Sequence, residues 1–217
     1  AAGATLTTQP DPDAIPRRVV HVAGRPLPDQ VMPASDAVLR DATGVAEDPS
    51  GNIYVSTAWH QVWKIMPDGT ASVIAGVGPP GAGIAGFSGD GGPAREAMLG
   101  SPRGLAWRDG VLYVADNGNQ RVRAIGPDGR ITTVAGNGSA TWAGEGAAAV
   151  ATGLNRPNDL AVNASGDLLV SLGSGQRVAR IGAGGVVTTF AGTGTGGTTG
   201  DGGPATAANL SNPVGLS

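Results

Sequence analysis

Residues able to do chemistry are few in this chain. Of its 217 residues only His21 and His60 are histidines and none is cysteine. Disulfides, thiolate metal sites, a cysteine nucleophile and a three-histidine zinc site within the chain are therefore excluded. Among the carboxylates, Asp90 and Asp201 occupy matching glycine-rich segments, Gly89-Asp90-Gly91-Gly92-Pro93-Ala94 and Gly200-Asp201-Gly202-Gly203-Pro204-Ala205. Binding a cation is one use for such an aspartate; accepting loop amides in a turn is the plainer one. The Asp-x-Asp-x-Asp-Gly spacing of a calcium loop does not occur, so no metal is expected.

Cofactor signatures fail on context. Gly81-Ala82-Gly83-Ile84-Ala85-Gly86 and Gly192-Thr193-Gly194-Thr195-Gly196-Gly197 both match the dinucleotide fingerprint. With 38 glycines the match arises by abundance, and neither segment opens a helix after a strand, as a pyrophosphate cradle requires. No Gly-x-Ser-x-Gly nucleophile elbow is present. No cofactor is expected. Trp59 and His60 form the one adjacent pair that combines an aromatic face with a titratable ring; they suit contact with a ligand or protein, or simple local packing.

Bulk composition narrows the classes further. Seventeen acids against fourteen bases give a net charge of −3, and Lys64 is the single lysine. That balance lacks the basic footprint of a nucleic-acid binder, so nucleic acid is not an expected partner. No apolar run reaches the ~18 residues of a membrane span, and no membrane insertion is expected. Residues 1–18, rich in Ala, Thr, Pro and Asp, read as a flexible N-terminal segment, and a start without methionine suggests a secreted or periplasmic protein.

The elements that would position these residues are set by internal repetition. A run ending in Ala-Gly closes at Gly24, Gly76, Gly136 and Gly192. Between these marks three further β-type runs recur: 44–48 with 104–108 and 159–163, 52–56 with 111–115 and 167–171, and 61–65 with 121–125 and 177–181. Turn residues such as Pro67-Asp68-Gly69 and Pro127-Asp128-Gly129 join them tightly. Four antiparallel strands per repeat predict an all-β protein, a propeller of four-stranded blades. Residues 43–76, 103–136 and 158–192 are three complete blades with strands a to d from the inside outward. Residues 19–24 are a lone d strand, and 213–217 open a further a strand.

Residues 104–136, with Gly-Leu-Ala, Leu-Tyr-Val-Ala-Asp, Asn-Gln-Arg-Val-Arg and Pro-Asp-Gly-Arg-Ile-Thr-Thr-Val-Ala-Gly, resemble the NHL-repeat β-propellers. The Gly-Asp-Gly-Gly-Pro-Ala inserts are similar to bacterial-type members. The resemblance spans residues 19–217 and implies the fold; family members bind RNA, bind proteins or act as enzymes, so it leaves function open.

A ring takes about four to eight blades, so residues 19–217 read as a partial propeller. Three completions are consistent with this: the rest of a longer gene product, a second copy of the chain, or another protein docked on an open arc. The a strands would line a central channel near Thr43, Arg103, Asn158 and Val214. Arg156-Pro157-Asn158-Asp159-Leu160-Ala161-Val162 also resembles a segment of gluconolactonase-type propellers. That resemblance implies an asparagine facing a divalent metal bound with carboxylates; only Asn158 of such a set is evident, and a polar residue at a strand mouth is the plainer reading. Asp116 and Arg121 are expected to pair across the second b–c turn. The long d–a loops carry short helix signals at 93–99 and 204–210, with Leu39, Leu99, Leu154 and Leu210 as anchors.

The expected function is a binding or interaction module on the loop-rich face, with Thr43, Trp59, His60, Arg103, Asn158 and Asp159 as ligand candidates and Asp90 and Asp201 as loop candidates. A protein partner, or a second copy completing the ring, is the expected partner. The alternative is a channel-sited hydrolase or lyase, lactonase-like or amidating-lyase-like, whose remaining site residues lie outside this chain.

Overall fold

The structure, a computed structural model, describes residues 31–217. The d strand expected at 19–24, His21 and the segment 1–18 lie outside the described residues. Within 31–217 the repeats fold as three antiparallel sheets. The first comprises β1 (Met32–Pro33), β2 (Ala42–Glu47), β3 (Ile53–Thr57), β4 (Gln61–Ile65) and β5 (Thr70–Ala75), in the order β1-β5-β4-β3-β2. The second runs β6 (Pro102–Arg108), β7 (Val111–Asp116), β8 (Arg121–Ile125), β9 (Ile131–Ala135), each beside the next. The third repeats this with β10 (Pro157–Val162), β11 (Leu168–Leu172), β12 (Arg177–Ile181) and β13 (Val187–Ala191). These are the blades the repeat predicts.

Alternate residues of each strand face opposite sides, and both sides of the middle blade are covered. Leu105, Leu112, Val114, Ile125 and Ile131 pack with Tyr54, Val62 and Ala75 of the first blade. Ala106, Ala115, Val122 and Ala135 pack with Leu160, Leu168, Val170 and Val187 of the third. Aliphatic runs on the inner strands, with few aromatics, are what such a stack of sheets requires.

Two details depart from the sequence reading. The segment before the first blade is one of the d–a loops by repeat; its Met32 and Pro33 instead pair with Ala71 and Thr70 as a short outer strand. Similar bridges join Pro93 to Arg130 and Ala148 to Val186, so the segment before each of the three blades touches that blade's outer edge. The helix signals yield only single 3₁₀ turns, Ala94–Glu96 and Ala205–Ala207, with counterparts at Ala34–Asp36 and Ala149–Ala151. The residue after each is extended, because these backbones bond to blades rather than to their own next turn. Gly76 N–H donates to Ala94 O at 3.1 Å, while Ala94 N–H donates to Gly129 O at 2.9 Å. Gly136, Ala149 and Gly185 repeat that brace. Leu99 and Leu154 beneath them are fully buried, the anchoring role expected of them.

Residues 213–217 form no ladder, yet they lie along the third blade. Ser171 Oγ donates to Val214 O at 2.8 Å, and Leu216 N–H donates to Asp159 Oδ2 at 2.8 Å.

Candidate functional site

A β-bulge sits at the same place in every inner strand. The pairing of β2 with β3 slips between Ala42 and Gly44, that of β6 with β7 between Pro102 and Leu105, and that of β10 with β11 between Pro157 and Asp159. The residues within the slips include Thr43, Arg103 and Asn158. Bulges re-aim side chains and are enriched at barrel rims and sites. Here they turn these three residues into one cavity of about 350 Å3, shared with Asp159 and Val214. The structure thus brings together the channel candidates read from the sequence.

Close approach of the blades explains two inner-strand glycines. A Cβ on Gly44 would overlap Arg103 O, and one on Gly104 would overlap Asp159. Most polar groups at this mouth are consumed by that approach. Thr43 Oγ1 donates to Pro102 O at 2.7 Å, and Ser56 Oγ bonds Arg103 O. Asn117 Nδ2 donates to Asn158 Oδ1 at 3.1 Å, and Asn158 Nδ2 donates to Pro213 O at 3.4 Å. Asp159 accepts from the N–H of Leu160 at 2.9 Å as well as from Leu216. The exposed Arg103 side chain and the apolar Val45 and Val214 face the remaining space. The wall can bind, but its asparagine and aspartate are already engaged. Among the described residues no three His, Cys, Asp or Glu side chains gather as a metal site would need.

Trp59 and His60 occupy the first b–c turn. Trp59 Nε1 donates to Asp41 Oδ2 at 3.1 Å, and Arg40 lies over its ring at 5.3 Å. His60 sits at φ 66° and accepts the Ser101 N–H on Nδ1 at 2.9 Å; its burial lowers its pKa below 6.5.

Asp90 does not cap the amides of its own loop, as the plainer expectation had it. Its carboxylate accepts from Arg123 Nη2 at 2.6 Å and from Thr133 Oγ1 at 2.7 Å, both on the next blade. Glu145 repeats this one blade on, accepting from the N–H of Thr189 at 2.7 Å and from its hydroxyl. Asp201 is exposed and has no side-chain partner among the described residues.

The expected Asp116–Arg121 pair is replaced by Asp116–Arg123, with Arg123 Nη1 3.4 Å from Asp116 Oδ2 and both side chains fully buried. Residues 121 and 123 share a face of β8, and both guanidinium groups lie over Phe87. The difference is depth, since Arg123 is fully buried while Arg121, at the strand end, turns out to the carbonyls of Asn119 and Asn137. Burial raises the Asp116 pKa, against hydrogen bonds from Asn119 and Gly100 and the charge of Arg123. Arg121 instead donates to Asn119 O at 2.8 Å and lies over Phe87 at 3.8 Å.

Sequence reading missed this stacking. Arg121 on Phe87 and Arg177 on Trp142 (4.6 Å) place a loop aromatic against the first residue of a c strand in successive blades. The arginines align by repeat, but the aromatics lie in loops of different length, where only the fold registers them. Trp59, Ile84 and Phe87 remain 40%, 51% and 42% exposed, all in b–c or d–a connections and so on the loop-rich face.

Comparison with known proteins agrees with this architecture. The Teneurin NHL domain family matches residues 16–126. Human Teneurin-4 is 37% identical over 125 residues, which is 48% of this chain and 4% of that protein. The chain spans only 4–5% of the length of the curated relatives it matches. A Bacteroides thetaiotaomicron structural genomics protein of unknown function superposes with a TM-score of 0.62 at 20% identity, over 80% of this chain and 41% of that one. A Xanthomonas campestris gluconolactonase superposes with a TM-score of 0.51 at 16% identity, over 74% of this chain and 50% of that one. At such identities the superpositions speak for the fold alone.

Proposed function

The chain belongs to the Teneurin NHL domain family of NHL-repeat propellers, and we propose that it works as a protein-interaction module through its loop-rich face. The observation carrying this reading is the exposure of Trp59, Ile84 and Phe87 in loop-rich-face connections, with Arg40 and Arg121 over the two aromatic rings. Tryptophan and arginine are the residue types that anchor protein interfaces, and backing guanidinium groups hold the rings in place before a partner arrives. The channel mouth is the weaker candidate because Asn158 and Asp159 are tied into blade-to-blade hydrogen bonds.

The test is the double variant Trp59→Ala/Phe87→Ala in the full-length protein. It should weaken binding to a protein partner at least tenfold, while Arg103→Ala/Asn158→Ala leaves binding intact. The reverse pattern would overturn the assignment.

A second reading is supported by the 350 Å3 cavity and by Asn158 at its wall: a lactonase-like hydrolase completed by residues outside this chain. Turnover of gluconolactone with added calcium, abolished by Asn158→Ala, would favour it.

A further inference from the structure

Three differences between the second and third repeats open a groove in the third blade. In the second, the corner between the b–c turn and the d–a loop is filled. Asn119 Nδ2 donates to Gly86 O at 2.6 Å and to Asp116 Oδ2 at 2.8 Å, and the Gly100 N–H donates to Asp116 Oδ1 at 2.6 Å. The Asn119 amide lies where any side chain on Gly100 would be. In the third repeat the positions of Asp116, Asn119 and Gly100 are held by Leu172, Gly175 and Asn155. The filling side chain is gone, and a groove of about 170 Å3 remains, walled by Trp142, Asn155, Leu172, Ser174 and Arg177.

The lining is assembled rather than loose. Arg177 donates from Nη1 to Thr189 Oγ1 at 2.9 Å and from Nη2 to Thr193 O at 3.0 Å, which fixes its guanidinium 4.6 Å from the Trp142 ring centre. Glu145 beside them is held by the Thr189 N–H at 2.7 Å and by the Thr189 hydroxyl. The Asn155 amide and the Ser174 hydroxyl, by contrast, have no hydrogen-bond partner among the described residues. They offer donors and acceptors of both kinds to whatever enters.

We propose that this groove binds a single neutral pyranose ring, as a monosaccharide or as the terminal residue of a glycan. Its volume is below the ~300–1,000 Å3 of pockets for drug-sized ligands, so it admits one ring. An anion would need Arg177, which already donates from each Nη to the protein and whose charge is offset by Glu145. A cation would meet that same guanidinium. A wholly apolar ligand would leave Asn155 and Ser174 desolvated and unpaired. A sugar presents an apolar C–H face to Trp142 and Leu172 while its hydroxyls both donate to and accept from Asn155 and Ser174. Indole is well suited to that mixed contact.

The groove is separate from Trp59 and Phe87, and its test is independent of them. Glucose, galactose, mannose and N-acetylglucosamine are titrated against the purified chain, with saturation-transfer NMR and tryptophan fluorescence as readouts. At least one should bind with a Kd on the order of 1 mM, as suits a single ring with few polar contacts. Asn155→Ala/Ser174→Ala, which removes no internal hydrogen bond, should weaken binding at least tenfold without shifting the melting temperature. Trp142→Ala should abolish the fluorescence response in protein confirmed to be folded by its far-ultraviolet spectrum. No saturation transfer from any of the four sugars, or undiminished binding in the Asn155→Ala/Ser174→Ala variant, would overturn the proposal.

Discussion

The backbone N–H of Ser101 donates to Nδ1 of His60 at 2.9 Å, tying the b–c turn of one blade to the entrance of the next blade's inner strand. Ser101 and His60 both have positive φ, 45° and 66°. The third blade repeats the latch with glutamine: the Asn212 N–H donates to Gln176 Oε1 at 2.6 Å. A histidine can serve there only while Nδ1 is unprotonated.

That requirement makes the first latch pH-sensitive. Burial lowers the His60 pKa in the folded protein below 6.5, so the unfolded chain takes up the proton first. The stabilisation is complete above about 6.5 and is lost as pH falls through that value and then through the lower folded pKa. Thermal melts between about pH 8 and about pH 5 should show this decline. His60→Gln, copying Gln176, should flatten that part of the profile; an unchanged slope would rule the latch out.

Asp116 and Arg123 form a buried pair that the third repeat replaces with Leu172 and Ala179. Removing one partner strands the other charge, so Arg123→Ala should cost about 3–5 kcal/mol. Asp116→Leu should cost less, since Asp90 still pairs with Arg123. The double variant Asp116→Leu/Arg123→Ala copies the third blade and should recover most of the loss. Denaturant titrations through the full cycle measure the coupling, and additive losses would contradict it.

Much of this was legible beforehand because the chain states its pattern several times over. Blade boundaries, strand order and the grouping of Thr43, Arg103, Asn158 and Val214 follow from aligning repeats, since equivalent positions must occupy equivalent places. What one repeat does not share with the next was not legible. Asp90 reaches Arg123 and Thr133, 33 and 43 residues away, and no local spacing announces such a partner. The preference of Asp116 for Arg123 over its strand-end neighbour Arg121 turned on loop carbonyls, those of Asn119 and Asn137, that draw Arg121 away. The groove beside Trp142 arises from side chains missing at Gly175, visible only once the filled version in the second blade is known.

Inner-strand glycines set the blade spacing. Gly104→Ala places a Cβ against the backbone and carboxylate of Asp159, and should destabilise by about 1–3 kcal/mol. Gly184→Ala, where a Cβ meets nothing within 4 Å, is the control and should be close to neutral in the same urea titration. Equal effects at the two positions would refute the spacing role.

The Asp90 and Glu145 segments grip the blades that follow them, with Gly91 and Gly146 N–H donating to Ile131 O and Val187 O. The matching segment at Asp201 has its carboxylate and the Gly202 N–H without partners among the described residues, and Phe190 on β13 is 48% exposed. Light scattering should therefore find the purified chain associating with rising concentration. A single species at 21.2 kDa, with a cooperative melt independent of concentration, would contradict this.

The most direct measurement of how this chain works is site-specific photo-cross-linking. A photoreactive phenylalanine analogue replaces Phe87 on the loop-rich face or, in a separate sample, Val214 in the channel wall. In cells producing the full-length protein, irradiation should give a discrete protein adduct from position 87 and none from position 214. An adduct confined to position 214, with position 87 silent, would contradict the interaction-module assignment and move the function to the channel.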